Sequence, residues 1–197
     1  MEWSGSGAAA VVLAAGASRR LGQPKALVSI GGQSNLAHQV HRLHHLGLKV
    51  VVVLGEDLCL AAEGLPCGVA LNPDPEAGRT GSLIVGLSCF ATLPQDVVVC
   101  PVDRPGWNEA VVARLLATAG EAVVPRSDGR RGHPMVLRGE ALRAVMNAPP
   151  ATPLRDLLPS RVEVDVEAPF LHLNLDRPED LLHIAHLEAW LADGQGP

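Results

Sequence analysis

Short apolar runs alternate along this chain with longer segments in which apolar residues recur every three or four positions. The short runs predict β-strands at 8–15, 49–54, 68–72, 96–101, 121–125 and 133–138. The longer segments predict helices at about 34–46, 80–93, 107–119, 139–147 and 178–192. Such alternation of strand and helix is typical of βαβ units that share a mostly parallel sheet.

Two of the strand segments, KVVVVL and DVVVCP, are continuously apolar. A strand has this pattern when helices cover both of its faces, because neither side then meets water. We therefore expect an α/β fold with helices on both faces of a mostly parallel sheet, in one domain over 1–197. Proline-rich sequence within 139–170 predicts a small excursion from the main sheet. The segment 193–197, DGQGP, predicts a flexible tail.

Composition limits the kinds of binding partner and the cellular location that we expect for this protein. The formal net charge of -5 argues against general binding to nucleic acids or membrane surfaces, because such binding relies on clustered positive charge. Apolar runs stay well short of the roughly 20 residues that cross a bilayer, and the start MEWSGSG has no basic leader, so we expect a cytoplasmic protein. The four cysteines form no CxxC pair and are expected to be buried free thiols.

The first predicted strand leads into a glycine-containing loop, LAAGASRRLGQPKALV, at 13–28. Lys25 in this loop is one of only two lysines, against fourteen arginines in the chain. The spacing matches neither GxxxxGK[ST] nor GxGxxG. Backbone N–H groups near Gly16 and Gly22, together with Arg20 and Lys25, could still hold an anion. The alternative is a solvated loop whose glycines only make turns.

Three further loops follow predicted strands, at the sheet edge where open α/β folds bind ligands. One loop passes through Arg79 into a helix that Thr80 or Ser82 could cap. The free N–H groups at the start of that helix suit an anion; the alternative is an ordinary loop with a helix cap. Asp103 is placed to bind Mg²⁺, or else begins a turn. Asp176 follows a short apolar run and is either a second oxygen ligand or only a helix N-cap.

Two carboxylates with a basic loop between them would form a site for a nucleoside triphosphate and Mg²⁺. His133 follows the basic turn SDGRRG and is interpreted as part of a substrate-binding loop, with a plain hairpin turn as the alternative.

His38, His41 and His45 recur at helical spacing without an acidic neighbour in sequence, so we interpret them as an exposed or half-buried helix face rather than a metal site.

Five motifs, in the right order, resemble the nucleotidyltransferases that attach a nucleotide to the molybdopterin form of the molybdenum cofactor. The signature LAAGxSxRMGxxKxLL of that family is similar to residues 13–28, with Leu21 in place of methionine. The element NPxxxxGxxxSLxxGL is similar to residues 72–87, with Arg79 in place of the usual methionine. The resemblance extends over nearly the whole chain.

The other three motifs lie in the second half of the chain. The family's aspartate-glutamine-proline resembles 103–105, where Arg104 stands in place of glutamine. A GHP element recurs at 132–134, and the closing NxNTPEDL resembles 174–181, with Arg177 in place of threonine. Arg79 and Arg104 both depart from the family pattern beside the expected site, which leaves the acceptor less well defined than the nucleotide.

The resemblance implies a Rossmann-like nucleotidyltransferase fold and an enzyme that transfers CMP from CTP to the terminal phosphate of a molybdopterin-type acceptor, with release of pyrophosphate. Ala15 favours CTP, because cytidylyltransferases of the family read LAAG and guanylyltransferases LAGG. Lys25, Arg20 and Asp103 are then the catalytic residues, and Asp103 and Asp176 the Mg²⁺ ligands. The residues that bind the two substrates are Leu13, Ala14, Ala15, Gly16 and Ser82 for the nucleotide and His133 and Arg155 for the acceptor.

Three alternatives stay open from the sequence. The enzyme could be a guanylyltransferase, or it could act on a sugar phosphate or alditol phosphate. The chain could also be a carrier that binds nucleotide or cofactor without catalysis. A molybdoenzyme that receives the product is the expected protein partner.

Overall fold

The computed structural model of the protein describes residues 7–193. The strands are β1 (Ala9–Ala14), β2 (Ser29–Ile30), β3 (Gln33–Ser34), β4 (Lys49–Leu54), β5 (Gly68–Leu71), β6 (Asp96–Pro101), β7 (Ala122–Ser127), β8 (Arg130–Arg131), β9 (Met135–Arg138) and β10 (Val162–Asp165). The α-helices are α1 (Asn35–His45), α2 (Arg79–Leu87), α3 (Glu109–Ala117), α4 (Gly139–Met146), α5 (Leu154–Leu157) and α6 (Ile184–Asp193). Short 3-10 helices span Lys25–Leu27, Glu56–Ala62, Pro75–Ala77 and Pro178–His183.

One sheet organises the fold, with strand order β10-β7-β9-β6-β1-β4-β5 and with β8 paired to β7. Strands β6, β1, β4 and β5 are parallel, as are β7 and β10. Strand β9 is antiparallel to both of its neighbours, β6 and β7. The mostly parallel sheet predicted from the sequence is therefore confirmed, with one reversed strand near its centre.

Strand β1 shows how both faces of the sheet are covered. Ala10 and Val12 belong to an apolar cluster with residues of α1 and α3, whereas Val11 belongs to a second cluster with residues of α2 and α4. Alternate side chains thus pack on opposite faces, because successive residues of a strand point to opposite sides. Helix α2 lies especially close: a Cβ at Gly86 would be 2.5 Å from Val11 Cγ1. The prediction of helices on both faces is confirmed.

A third apolar cluster fixes the loop that follows β1. Leu21, Val28 and Ile30 are buried together with Leu187 and Leu191 of α6. This burial of apolar surface opposes the entropy cost of ordering the loop, and the segment rests on the C-terminal helix. The basic residues of the loop are thereby held over the sheet edge.

Three sequence predictions need correction. Val162–Asp165 does not leave the sheet but pairs in parallel with β7, and Val164 is buried there. Helix α2 ends at Leu87 rather than near 93. The expected tail, 193–197, begins one residue too early, since α6 includes residue 193; the remainder lies outside the described residues.

Burial of the cysteines and one histidine also differs from expectation. All four cysteines are free, but Cys59 and Cys89 are exposed, so the prediction of buried thiols is wrong for them. Cys100 is buried, and this burial raises the pKa of its thiol. His38 is buried rather than half-exposed. In residues 7–193, no helix combines the length and apolar character that crossing a membrane requires.

Candidate active site

The candidate site lies along the edge of the sheet where β1 and β6 end. Asp103 follows β6 by two residues, and the glycine-containing loop follows β1. Strand β9 runs in the opposite direction, so the residues just before its start lie at this edge. His133 is therefore brought to the same edge as Asp103, although the sequence alone did not show that its strand is reversed.

Five charged side chains from four segments form a continuous chain of ion pairs here. Arg20 Nη2 lies 3.1 Å from Asp176 Oδ2, and Lys25 Nζ lies 3.0 Å from Asp176 Oδ1. Lys25 Nζ is also 3.7 Å from Asp103 Oδ2, which in turn is 3.6 Å from Arg79 Nη2. Three cations thus surround two carboxylates. The surplus positive charge suits an anionic ligand.

Lys25 is the centre of this arrangement. Its hydrogen bond to Asp176, with its charge and that of Arg20, holds the pKa of that carboxyl below its usual range. The Lys25 backbone N–H donates to Ser18 Oγ at 3.1 Å, which closes the loop on itself. Sequence reasoning placed Lys25, Arg20 and the two aspartates in one site, and the structure brings all four together.

A buried amide on α1 joins the basic loop to the Asp103 turn. Asn35 Nδ2 donates to the carbonyl oxygen of Lys25 at 3.0 Å and to that of Val102 at 2.7 Å. Gln39 Nε2 donates to the same Val102 oxygen at 3.1 Å. Sequence reasoning missed both amides, although each is a polar side chain on the apolar side of a predicted helix. They position the site without facing it.

A cavity of about 190 Å³ opens between the glycine-containing loop and α2. Ser82 Oγ, in its wall, accepts a hydrogen bond from Asn72 Nδ2 at 3.0 Å and lies 3.2 Å from the carbonyl oxygen of Gly78, to which it donates. Both contacts fix the hydroxyl in place. We call this the first cavity. Its lining includes these residues predicted from the sequence: Leu13, Ala14, Ala15, Gly16, Lys25, Ser82 and Asp103.

A second cavity, of about 210 Å³, adjoins the first. Its floor is apolar and its rim cationic, and none of its lining residues is a carboxylate. His133 and Arg155, both predicted to face the acceptor, line it together with Arg131 and Arg161, which sequence reasoning did not single out. Arg131 belongs to the basic turn before His133 and pairs with Glu163, whereas Arg161 had no signal in the sequence. The apolar floor is formed by Val99, Val124, Met135, Leu154 and Leu158.

His133 is uncharged at neutral pH in this setting. Burial, followed by the charges of Arg79 and Arg104, lowers its pKa to about 4. A neutral imidazole can donate one hydrogen bond and accept another without adding charge. Arg104 Nη1 donates to the carbonyl oxygen of His172 at 3.1 Å. Arg104 thus helps to hold the segment that carries Asp176.

The carboxylates fit a hard cation. Asp103 Oδ1 is buried and has no hydrogen-bond partner among the described residues. A carboxylate oxygen in that position is unsatisfied unless a cation or a water reaches it. Within residues 7–193, no three potential His, Cys, Asp or Glu ligands lie together. A Mg²⁺ ion here would depend on Asp103, Asp176 and oxygen atoms of a bound phosphate, which is a common way of binding this ion.

Comparisons with known proteins identify the family and support the fold. The family described as the MobA-like NTP transferase domain matches residues 10–164. A molybdenum cofactor guanylyltransferase of Rhizobium johnstonii is 32% identical over 93% of this chain and 92% of its own length. Another, of Rhizobium meliloti, is 28% identical, with coverage of 92% and 91%. The fold is similar to that of a nucleotidyl transferase from Methanothermobacter, with a TM-score of 0.78, 20% identity and coverage of 94% and 100%.

Proposed function

The chain belongs to the MobA-like NTP transferase domain family, and we propose that it transfers a nucleotidyl group from a nucleoside triphosphate to the terminal phosphate of a molybdopterin-type acceptor. It is a nucleotidyltransferase of the molybdenum cofactor type. One observation carries the proposal: the ion-pair chain through Lys25 and Asp103 lines the first cavity and ends at Arg79, where the first cavity meets the second. Two substrates bound there would have their phosphates side by side.

The reaction would proceed by direct displacement. An oxygen of the acceptor phosphate attacks the α-phosphorus, and a new P–O bond forms. The bond from that phosphorus to the oxygen bridging to the β-phosphate breaks, and pyrophosphate leaves with the electron pair. A phosphate already ionised needs no general base. The protein therefore contributes mainly positioning and charge neutralisation, to which Lys25 and Arg20 are suited.

Mg²⁺ would be held by Asp103 and Asp176 and would supply neutralisation of the triphosphate charge. Lys25 occupies the space between these carboxylates in the structure, at 3.7 and 3.0 Å. We propose that Lys25 turns toward the phosphates when nucleotide binds, because its ammonium group has three donors and a flexible stem.

The second cavity is our proposed acceptor site. Its apolar floor would contact the body of the acceptor, and the cationic rim at Arg155 and Arg161 would attract its phosphate. Neutral His133 would add a hydrogen bond between the two. The same rim would also attract a sugar phosphate, so acceptor choice needs a direct test.

For the base we propose cytosine. Ala15 lines the first cavity, and its methyl group narrows a space that glycine would leave open to a purine. The guanylyltransferase names of the two Rhizobium relatives support GTP as the competing choice. A small steric difference of this kind discriminates by roughly 1–3 kcal/mol, so some use of the other nucleotide is expected.

Pyrophosphate release tests the proposal. The parent protein is supplied with Mg²⁺ and CTP, GTP, ATP or UTP in turn, each with molybdopterin, a sugar phosphate, an alditol phosphate or no acceptor. We expect turnover with CTP and molybdopterin, slower turnover with GTP, and a smaller difference in Ala15→Gly. Preference for GTP would reverse our choice of base, and turnover only with a sugar or alditol phosphate would reverse our choice of acceptor.

A further inference from the structure

Arg79 is the one charged residue that belongs to the lining of both cavities. The two linings share Leu13, Arg79 and Pro101, and the other two are apolar. Arg79 is the first residue of α2 and follows Gly78, whose φ of 102° makes the turn before the helix. The shared wall is where an acceptor phosphate in one cavity would approach a nucleotide in the other.

The guanidinium of Arg79 has free hydrogen-bonding capacity. Its contact with Asp103 Oδ2 is 3.6 Å long, and among residues 7–193 its side chain makes no hydrogen bond. By contrast, Lys25 is within 3.0 Å of Asp176 and Arg20 within 3.1 Å. A guanidinium has five N–H donors in a planar fork that matches phosphate oxygens. Arg79 can therefore contact a phosphate without first breaking a strong interaction.

The electrostatic influence of Arg79 reaches both sides of the shared wall. It contacts Asp103 in the first cavity, and its charge contributes to the low pKa of His133 in the second. The side chain is 53% exposed, so it can move between these neighbours. A charge at the shared wall would lie closer to the reacting phosphates than the charges of the arginines on the rim of the second cavity.

We infer that Arg79 is a catalytic residue that contacts the transferred phosphoryl group and neutralises the charge that builds on its oxygens. This inference rests on the proposed function. Its contact would be made mainly in the transition state, when the α-phosphorus is shared between the acceptor oxygen and the departing pyrophosphate. Such an interaction raises the rate of transfer without tightening substrate binding.

Two substitutions and one control test this role. Arg79→Met removes the charge and restores the residue that is usual in the family at this position, so it tests whether this chain has come to depend on the arginine. Arg79→Lys keeps a charge without the fork. Arg143→Met is the matched control, because Arg143 is 58% exposed and paired with Glu140 and lines neither cavity. Pyrophosphate release gives kcat and KM with the best nucleotide and acceptor of the parent, and calorimetry gives the nucleotide Kd.

For Arg79→Met we expect kcat and kcat/KM to fall together by about 100-fold or more, the usual effect of losing one transition-state donor. The nucleotide Kd of Arg79→Met should stay within about threefold of the parent value. The kcat of Arg79→Lys should fall between the values of Arg79→Met and the parent, and Arg143→Met should match the parent. A parent-like kcat in Arg79→Met, or a loss confined to acceptor KM or nucleotide Kd, would overturn the inference alone. A parent without turnover on any substrate pair would overturn the proposed function and this inference with it.

Discussion

Replacing Asp103 by asparagine separates two roles of its carboxylate: pairing with the nearby cations and binding Mg²⁺. Asp103 Oδ2 lies 3.7 Å from Lys25 Nζ and 3.6 Å from Arg79 Nη2. At such distances each pair is worth about 1 kcal/mol in water-like surroundings. Asparagine removes this attraction and leaves Lys25 freer to contact phosphate. Without Mg²⁺, nucleotide should therefore bind Asp103→Asn at least as tightly as it binds the parent.

With Mg²⁺ the expectation reverses, because a ligand to the metal is lost. A loss of about 3 kcal/mol, the upper end for a contact to a charged group, is about 100-fold in affinity. At nucleotide 100 times the parent Kd, binding stabilises the parent by about 2.7 kcal/mol and the variant by about 0.4 kcal/mol. For a chain of this size, those values correspond to about 5–10 °C and about 1 °C in Tm.

Thermal unfolding with nucleotide, in Mg²⁺ and in EDTA, measures this directly. The quantity to compare is the gain in Tm that Mg²⁺ adds to nucleotide, taken for each variant against its own nucleotide-free Tm. Asp96→Asn is the control, because Asp96 begins the same strand at its far end and also pairs with an arginine, Arg138. If Asp103→Asn keeps the Mg²⁺ gain of the parent, Asp103 does not hold the metal and the reasoning fails.

Three further changes probe other parts of the molecule. Lys25→Ala should weaken triphosphate binding far more than nucleoside binding by calorimetry, since a point charge is lost; equal losses would contradict its role. Gly86→Ala should lower the free energy of unfolding in urea by about 1–3 kcal/mol, because its Cβ meets Val11 and Val53. Folded His38 has a pKa of about 4 and unfolded histidine about 6.5, so as pH falls between these values His38 alone should take up to about 3 kcal/mol of stability from the parent. His133, whose folded pKa is also about 4, should add a loss over the same range that remains in the variant. His38→Gln should flatten that fall; an unchanged slope would refute the assignment.

The central strands could be predicted because burial on both faces leaves a strong pattern. The bounds of β4 and β6 match the predicted 49–54 and 96–101. Strand β10 was missed for the opposite reason. It is a four-residue edge strand in which Glu163 and Asp165 pair with Arg126, so its pattern is half polar. Nearby prolines made the segment resemble an excursion.

The sequence predicted the candidate site only to the extent that the ends of parallel strands meet at one edge of the sheet. Loops after parallel strands meet at one edge, and this grouped Lys25 with Asp103. Asp176 was also predicted to follow a strand end, but residues 171–177 form no strand, so its place in the site did not follow from that rule. Their mutual distances could not be predicted, because Lys25 and Asp176 are 151 residues apart in the chain. The place of Arg79 between two cavities likewise depends on how α2 approaches the sheet. That approach depends on Gly86, which the motif at 72–87 includes but whose close packing on β1 the motif does not show.

The reversed strand β9 has a consequence for how this protein can diversify. On one side of it, β6, β1, β4 and β5 carry the proposed nucleotide machinery. On the other, β7, the turn before β9 and residues 154–161 carry much of the proposed acceptor site. Away from the shared wall of Leu13, Arg79 and Pro101, substitutions in the two halves can then accumulate with little mutual interference. A chimera that takes 121–165 from a relative should inherit that relative's acceptor and retain this chain's nucleotide, which would make the two specificities separable heritable traits.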